Sequence, residues 1–348
     1  MLALKTIYKK FRKNLPPSMQ ARFTKIVYAV SRRPYCMRDT IPRVNKFPQN
    51  EKGGMILSAD FELAWAFRYS KEFDNPYQSS LEKARQARKN FPLLIELFEN
   101  YETPITWATV GHLFLEECNE EAHDGMNRLP YFNNRCWLYD KGDWFDHDPY
   151  TNWKEDPEWY APDLIERIIN SEVKHEIGSH TFSHVDFSYK NCPPEVAEDE
   201  ISACLDAMNA YGMRPVSICF PSGTWGNVET LKKAKFKIYR KKLANDVVAY
   251  PYRDQHGLLV TPTSESFGRL HQSWSAQYYA SRFIKNIDMA IKTGTVAHFM
   301  FHPSMDQWIL KNVLPKVLDY AAKKRSIGDL WIGTMGELAA HIDQHNVI

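Results

Sequence analysis

From residue 51 onward, short apolar runs alternate with longer segments whose apolar residues recur every three or four positions. The runs predict strands at Met55–Ala59, Ile105–Val110, Glu176–Ser179, Val216–Phe220, Lys237–Tyr239, Leu258–Val260, Val296–Phe301 and Leu330–Ile332. The longer segments predict helices over Leu81–Asn100, Pro162–Ser171, Pro194–Tyr211, Val228–Ala234, Ala276–Thr293, Ser304–Lys324 and Met335–Gln344. Pro162 and Pro194 fall where the first turn of a helix tolerates proline. Strands alternating with helices argue for an α/β fold with a parallel sheet and helices outside. About eight such units over roughly 300 residues is the count of a (β/α) barrel, whose chemistry sits at the C-terminal strand ends.

Residues 119–160 break the alternation. They hold Trp137, Trp144, Trp153 and Trp159, many Asp and Asn, and little periodicity. A loop this long inside a compact domain is usually functional or disordered, and its aromatics argue against disorder. It reads as a lid or substrate-binding insertion in a domain spanning 51–348. Aromatic residues make up 14% of the chain, which suits either a large aromatic core or a cleft that stacks sugar rings.

The net charge of +2 conceals an asymmetry. Residues 1–50 carry twelve Lys and Arg against Asp39 alone, a balance of +11, leaving 32 basic and 41 acidic residues beyond, a balance of −9. The segment's apolar residues, Leu2, Leu4, Ile7, Tyr8, Phe11 and Leu15, recur at roughly helical spacing between lysines and arginines, with no uninterrupted apolar run. That excludes a signal peptide or a membrane span. It fits an interfacial helix on an anionic membrane surface, or a basic arm packed on the acidic domain. Nothing points to nucleic acid. Cysteines at 36, 118, 136, 192, 204 and 219 form no CxxC, so no zinc ribbon or redox motif is expected. They read as reduced thiols of a cytoplasmic protein, peripheral to the inner membrane face if the arm binds lipid.

Candidate chemistry gathers at three places. His180-Thr181-Phe182-Ser183-His184 follows a short buried run, and histidines four apart on one face of a helical turn can share a cation. Asp60 and Glu62, two residues apart at the end of the first strand, can supply one ligand and one base at the mouth of a barrel. His302 closes the strand Val296–Phe301, with His298 one layer deeper on the same face as a core side chain. Alone, each reads as solvated or core residues; together, at strand ends on one side, they read as a hydrolytic metal site.

This set, in this order, resembles the polysaccharide deacetylases of the NodB homology type, carbohydrate esterase family 4, over roughly residues 53–345. The phrase from His175 to His184 is very close to the family's second motif, Thr106–Gly111 resembles the strand after its first helix, and Gly333–Leu338 resembles its terminal helix start. The resemblance implies a distorted (β/α) barrel of about seven or eight strands, with Asp60 as catalytic base and His180 and His184 as metal ligands. Many members place a second, metal-binding aspartate directly after the base. Here that residue is Phe61, and the branch with Asp-x-Asp/Glu makes Glu62 the carboxylate ligand. His302 matches the histidine that protonates the leaving group. Phe220-Pro221-Ser222-Gly223 matches the third motif, whose N–H, here that of Ser222, helps hold the oxyanion. The arginine that opens that motif and pairs with the base is replaced by Cys219, and Arg240 at the end of the next strand could supply the charge. No Asp-x-x-x-Trp of the fourth motif lies between 225 and 302.

The implied activity is hydrolysis of an acetyl or other acyl group on an amino sugar of a glycan or lipid-linked sugar, as in surface polysaccharide biosynthesis. The implied cofactor is one divalent metal, zinc by default, with cobalt, nickel, iron or manganese also suited to two histidines and a carboxylate. Such a metal leaves positions open for water and acyl oxygen and brings the water's pKa toward roughly 7. The rival expectations are a hydrolase of the same fold acting on another C–N bond, such as an amidohydrolase or deformylase, and a carbohydrate-binding homologue without turnover.

Overall fold

The computed structural model describes residues 39–243, 247–268 and 274–348, together with Pro16, Met19 and residues 35–37. Eight strands make its frame: Gly53–Phe61 (β1), Thr106–Thr109 (β2), Glu176–Ser179 (β3), Ser217–Cys219 (β4), Ile238–Lys241 (β5), Leu259–Pro262 (β6), Val296–Phe301 (β7) and Leu330–Gly333 (β8). The helices are Pro76–Asn100 (α1), Pro162–Ile169 (α2), Pro194–Asn209 (α3), Val228–Lys233 (α4), Ala276–Thr293 (α5), Gln307–Asn312 (α6), Leu314–Ser326 (α7) and Met335–His345 (α8).

All nine residues of β1 are buried. A strand without outward polar positions must be covered on both faces, which places it at the centre of a parallel sheet. It pairs with β7 along one edge and, along the other, with β8 near its start and β2 near its end. From β2 the sheet continues in parallel through β3, β4, β5 and β6, closing on the antiparallel strand Tyr252–Arg253. Beyond β7 lies the short parallel strand Glu265–Ser266. The sheet curls into a half-barrel of the distorted (β/α) kind, so its C-terminal strand ends share one rim.

The helices form where the pattern asks for them. In α1 the buried Ala84, Ala87, Phe91, Leu94, Ile95 and Phe98 recur every three or four residues. The helix begins five residues before the apolar pattern does, because Asn75 Oδ1 accepts from Gln78 N at 3.1 Å and Pro76 takes the first turn. In α8, Thr334 and Glu337 form a reciprocal capping box. The segment expected as one helix over Ser304–Lys324 is two, α6 and α7, broken at Val313. Pro315 has no N–H to continue α6 and instead sits in the first turn of α7. Gly53 lets β1 approach α5, since a Cβ there would lie 2.6 Å from the Ala290 backbone.

Most of the basic arm lies outside the described residues. Its last part packs on the half-barrel: Phe47 is buried against Trp331 and Tyr250, and buried Lys46 bonds Asp39 at 2.7 Å and Gly294 O at 3.0 Å. Tyr35–Cys36 pair with Val247–Val248. Among the described residues no helix is long and apolar enough to cross a membrane, and all six cysteines are free.

Candidate active site

β1 delivers Asp60 as its penultimate residue, and Glu62 follows at the rim. His180 and His184 follow β3, and His302 follows β7. Glu62 Oε2 lies 3.1 Å from His180 Nε2 and 3.0 Å from His184 Nε2. All three side chains are buried, and their ligand atoms lie within 4.8 Å of one another.

The donor set fits a divalent cation. His180 Nδ1 donates to the Cys219 carbonyl at 2.7 Å, which fixes the tautomer and leaves the Nε2 lone pair facing Glu62. Burial lowers the pKa of His184 to about 4, so its ring is neutral as a ligand must be. Burial alone would raise the Glu62 carboxyl, but His302, His180 and His184 override it and hold it well below the usual range. One carboxylate oxygen facing two ring nitrogens makes a donor set that Glu62, His180 and His184 would offer to one divalent metal.

Beside it, Asp60 is held on one oxygen and free on the other. Arg240 Nη2 donates to Asp60 Oδ2 at 2.7 Å, while the buried Oδ1 has no hydrogen-bond partner. Burial raises the Asp60 pKa, but the Arg240 and His180 charges outweigh it and keep the carboxylate ionised. His302 Nε2 stands 3.8 Å from Asp60 Oδ2 and 3.3 Å from Glu62 Oε1, with a third of the side chain exposed. Ser222 sits on the rim after β4, exposed, in a left-handed conformation of φ 48°. A cleft of about 190 Å³, its open mouth included, borders Asp60 and Glu62 and is lined by Phe67, Lys83, Pro303 and Ser304.

The histidine pair does not lie on a helical turn. Residues 180–187 contain no helix, and Thr181 and His184 take left-handed φ values of 63° and 62°. Side-chain acceptors replace the helix's own bonds: Glu200, buried on α3, receives Phe182 N and Ser183 N at 2.9 Å each. Leu63, Thr181, His184 and Ser222 are all non-glycine residues at positive φ around the rim. Such conformations cost roughly 1–3 kcal/mol each and collect at functional sites.

A layer of polar side chains beneath the rim links His298 and Arg240. Arg240 Nη1 donates to Ser58 Oγ at 2.8 Å, Ser58 Oγ meets His298 Nε2 at 2.8 Å, and His298 Nδ1 meets Thr261 Oγ1 at 3.0 Å. Burial, with Arg240 nearby, pushes the His298 pKa far down, so it is a neutral link in the chain that aims Arg240. The period-two alternation of β1 and β7 placed Ser58 and His298 on this face; nothing local marked their pairing. Arg68 was also unforeseen: buried, it donates to Trp144 O at 3.1 Å and Ser183 O at 3.2 Å and lies on the Trp65 and Trp144 rings. The insertion's Trp137, Trp144 and Trp159 are buried, so these rings pack the insertion onto the barrel rather than offer faces to a ligand.

A curled parallel sheet with buried carboxylates and histidines converging on its C-terminal rim defines a (β/α) barrel with a hydrolase-type site. The sequence model of the polysaccharide deacetylase family matches residues 73–240, so this part of the chain carries a polysaccharide deacetylase domain. Solved structures of low sequence identity share the fold. A Pseudomonas aeruginosa PAO1 protein assigned as a polysaccharide deacetylase has TM-score 0.61 and 15% identity, covering 88% of this chain and 96% of its own. A Mycobacterium smegmatis protein with the same assignment has TM-score 0.58 and 12% identity, over 91% and 96%. The Puue allantoinase has TM-score 0.61 and 14% identity, over 89% and 96%. No curated protein matches the chain.

Proposed function

We propose that the chain is a metal-dependent deacetylase that hydrolyses the acyl group of an amino sugar in a glycan or a lipid-linked sugar. The observation that carries this reading is the division of labour between two neighbouring carboxylates. Glu62 Oε2 faces two imidazole nitrogens, whereas Asp60 Oδ2 faces an arginine; the second oxygen of each is buried without a hydrogen-bond partner. A divalent cation on Glu62, His180 and His184 would supply Lewis acidity and an acidified water. Asp60 Oδ1, on a carboxylate that Arg240 keeps ionised, would be placed to accept a proton from an attacking water. His302, partly exposed at the mouth, is placed to hand a proton to the departing amine. The N–H of Ser222 is the candidate donor to the acyl oxygen as it gains charge.

A basic N-terminal arm would hold the enzyme near an anionic membrane surface, which suits a lipid-carried substrate. Likeness to an allantoinase keeps cleavage of a ureide C–N bond in the comparison.

The test is acetate release from N-acetylated sugars, sugar nucleotides and lipid-linked glycans, beside formylated sugars and allantoin, with and without added zinc or cobalt. Metal-dependent acetate release is expected. Turnover of allantoin alone moves the reading to an amidohydrolase, and no turnover by metal-loaded protein moves it to a binding protein.

A further inference from the structure

A second group of metal-ligand side chains lies outside the proposed catalytic centre. His112 stands on the one-turn helix Gly111–Phe114 that follows β2, His123 ends the turn Glu120–His123, Cys118 lies in irregular chain just before the insertion, and Asp148 lies in irregular chain within it. Exposure is 0% for His112, 1% for His123, 4% for Asp148 and 8% for Cys118. Asp148 Oδ2 lies 2.8 Å from His112 Nε2 and 3.0 Å from His123 Nε2, and Cys118 Sγ lies 3.4 Å from His123 Nε2. All four ligand atoms fall within 4.8 Å of one another.

Hydrogen bonding among these groups leaves the cluster short. His112 and His123 both aim Nε2 at the same oxygen, Oδ2 of Asp148. His123 Nε2 faces both a carboxylate and a thiol, and one proton cannot serve both well. Buried polar atoms without partners are costly. Four donors converging on one point ask for a shared cation instead.

The chemistry selects it. Zinc bonds of about 2.0–2.3 Å put tetrahedral donor atoms roughly 3.3–3.7 Å apart, close to the spacing here. One thiolate and one carboxylate neutralise a divalent ion, so the buried site carries no net charge. Outer contacts are in place: Asp148 Oδ1 accepts from Tyr160 OH at 2.9 Å and Tyr150 N at 3.1 Å, and Phe145 stacks on His123 at 4.1 Å.

We propose that His112, Cys118, His123 and Asp148 form a structural zinc site that staples the insertion to the barrel. Four protein ligands and full burial make it a closed site with no place for substrate. The staple also bears on the rim, since His112 N donates to Phe182 O in the histidine loop at 3.0 Å and its ring packs on Trp65 at 4.4 Å.

Cobalt(II) tests it in the full-length chain, because a cobalt–thiolate charge-transfer band in the near ultraviolet requires a cysteine ligand and the Glu62, His180, His184 set has none. The band is expected in the wild type and in His184→Ala, and lost in Cys118→Ser. A wild type without the band, or a band that survives in Cys118→Ser, overturns the proposal. If Cys118→Ser does not fold, zinc X-ray absorption of the wild type decides: a sulfur neighbour at about 2.3 Å supports the site, and an all-nitrogen-and-oxygen shell overturns it.

Discussion

Arg240 reaches Asp60 from four strands along the sheet, with Nη2 2.7 Å from Oδ2. At about 4.8 Å per strand a flat sheet would put β5 roughly 19 Å from β1. The contact therefore exists because the sheet curls and Arg240 spans the mouth, with Ser58 and His298 holding its other arm. The position that carries arginine in the resembled motif holds buried Cys219 here, on the neighbouring strand. A charge can thus be supplied from an adjacent strand when the barrel points both at one centre.

Arg240→Met should lower kcat/KM on the order of 10²-fold, the scale of one misplaced general base. It should also move the acid limb of the pH profile upward, because the Arg240 charge lowers the Asp60 pKa and its loss lets burial raise it. Arg240→Lys should recover part of both. An acid limb that stays in place in Arg240→Met, measured on metal-loaded enzyme, would reject the pairing as the control on Asp60.

Asp60 and Glu62 should separate cleanly by metal content. Asp60→Asn is expected to keep its metal and lose turnover by about 10³-fold or more. Glu62→Gln removes a direct donor, and because even outer-shell changes cost about 10–100-fold in metal affinity, its loss should exceed that. Metal analysis of both variants against wild type is the measurement. Metal lost from Asp60→Asn and kept by Glu62→Gln would reverse the two roles.

Glu200 is expected to set the histidine loop from below. It lies on α3, touches neither proposed ligand, and receives two backbone N–H groups of the loop. Glu200→Leu leaves those buried donors unpaired, at about 1–3 kcal/mol each, and should lower the midpoint in urea. Metal affinity should fall with it, because residues 181–184 hold their left-handed turns against that anchor. Glu200→Gln, which keeps an acceptor oxygen, should recover much of both. Unchanged metal affinity in a destabilised Glu200→Leu would confine Glu200 to packing.

What could be read from the sequence was what lives in local periodicity. β3, β7 and α5 coincide with their apolar patterns residue for residue. Asp60, Glu62, His180, His184 and His302 were visible because strand ends in such folds share a rim, so positions far apart in sequence acquire a common place. The turn between His180 and His184 was misread as helical, because HxxxH spacing suits one helical face and the competing acceptor, Glu200, is sixteen residues further on. The His298–Ser58–Arg240 chain and the Cys118–His123–Asp148 group depend on which side chains meet across the barrel, and no local pattern encodes that. Cys118 and His123, five residues apart with Asn119–Ala122 between them, carry a faint signal that CxxC spacing does not include.

The arm should bind anionic membranes through its first 34 residues. That stretch carries nine Lys and Arg and no acid, whereas Arg43 and Lys46 are engaged on the domain through Lys292 O and Gly294 O. Each basic residue near the surface contributes about 1 kcal/mol. The full-length protein should sediment with anionic vesicles at low salt and release as salt rises. A chain lacking residues 1–34 should stay in solution, while equal behaviour of both would assign the charge to another partner.

His175 should make the fold weaker in mild acid. Its ring packs on Phe98 and Trp107, its Nδ1 accepts from Ile105 N at 3.2 Å, and its Nε2 has no partner. Burial lowers its pKa to about 4, whereas the unfolded chain titrates near 6.5. Between those values the unfolded state binds the proton and the native state does not, so stability rises with pH across that window. The contribution is complete above about 6.5 and disappears as pH falls toward 4. A shift of this size corresponds to at most about 3 kcal/mol, and partial exposure reduces that to on the order of 2 kcal/mol. His175→Gln keeps an acceptor for Ile105 N but does not titrate. Urea unfolding at pH 7 and pH 5 should therefore give the wild type a steeper loss of stability than the variant, with the other buried histidines cancelling in the difference. Parallel losses in the two proteins would mean that His175 keeps an ordinary proton affinity in the folded state.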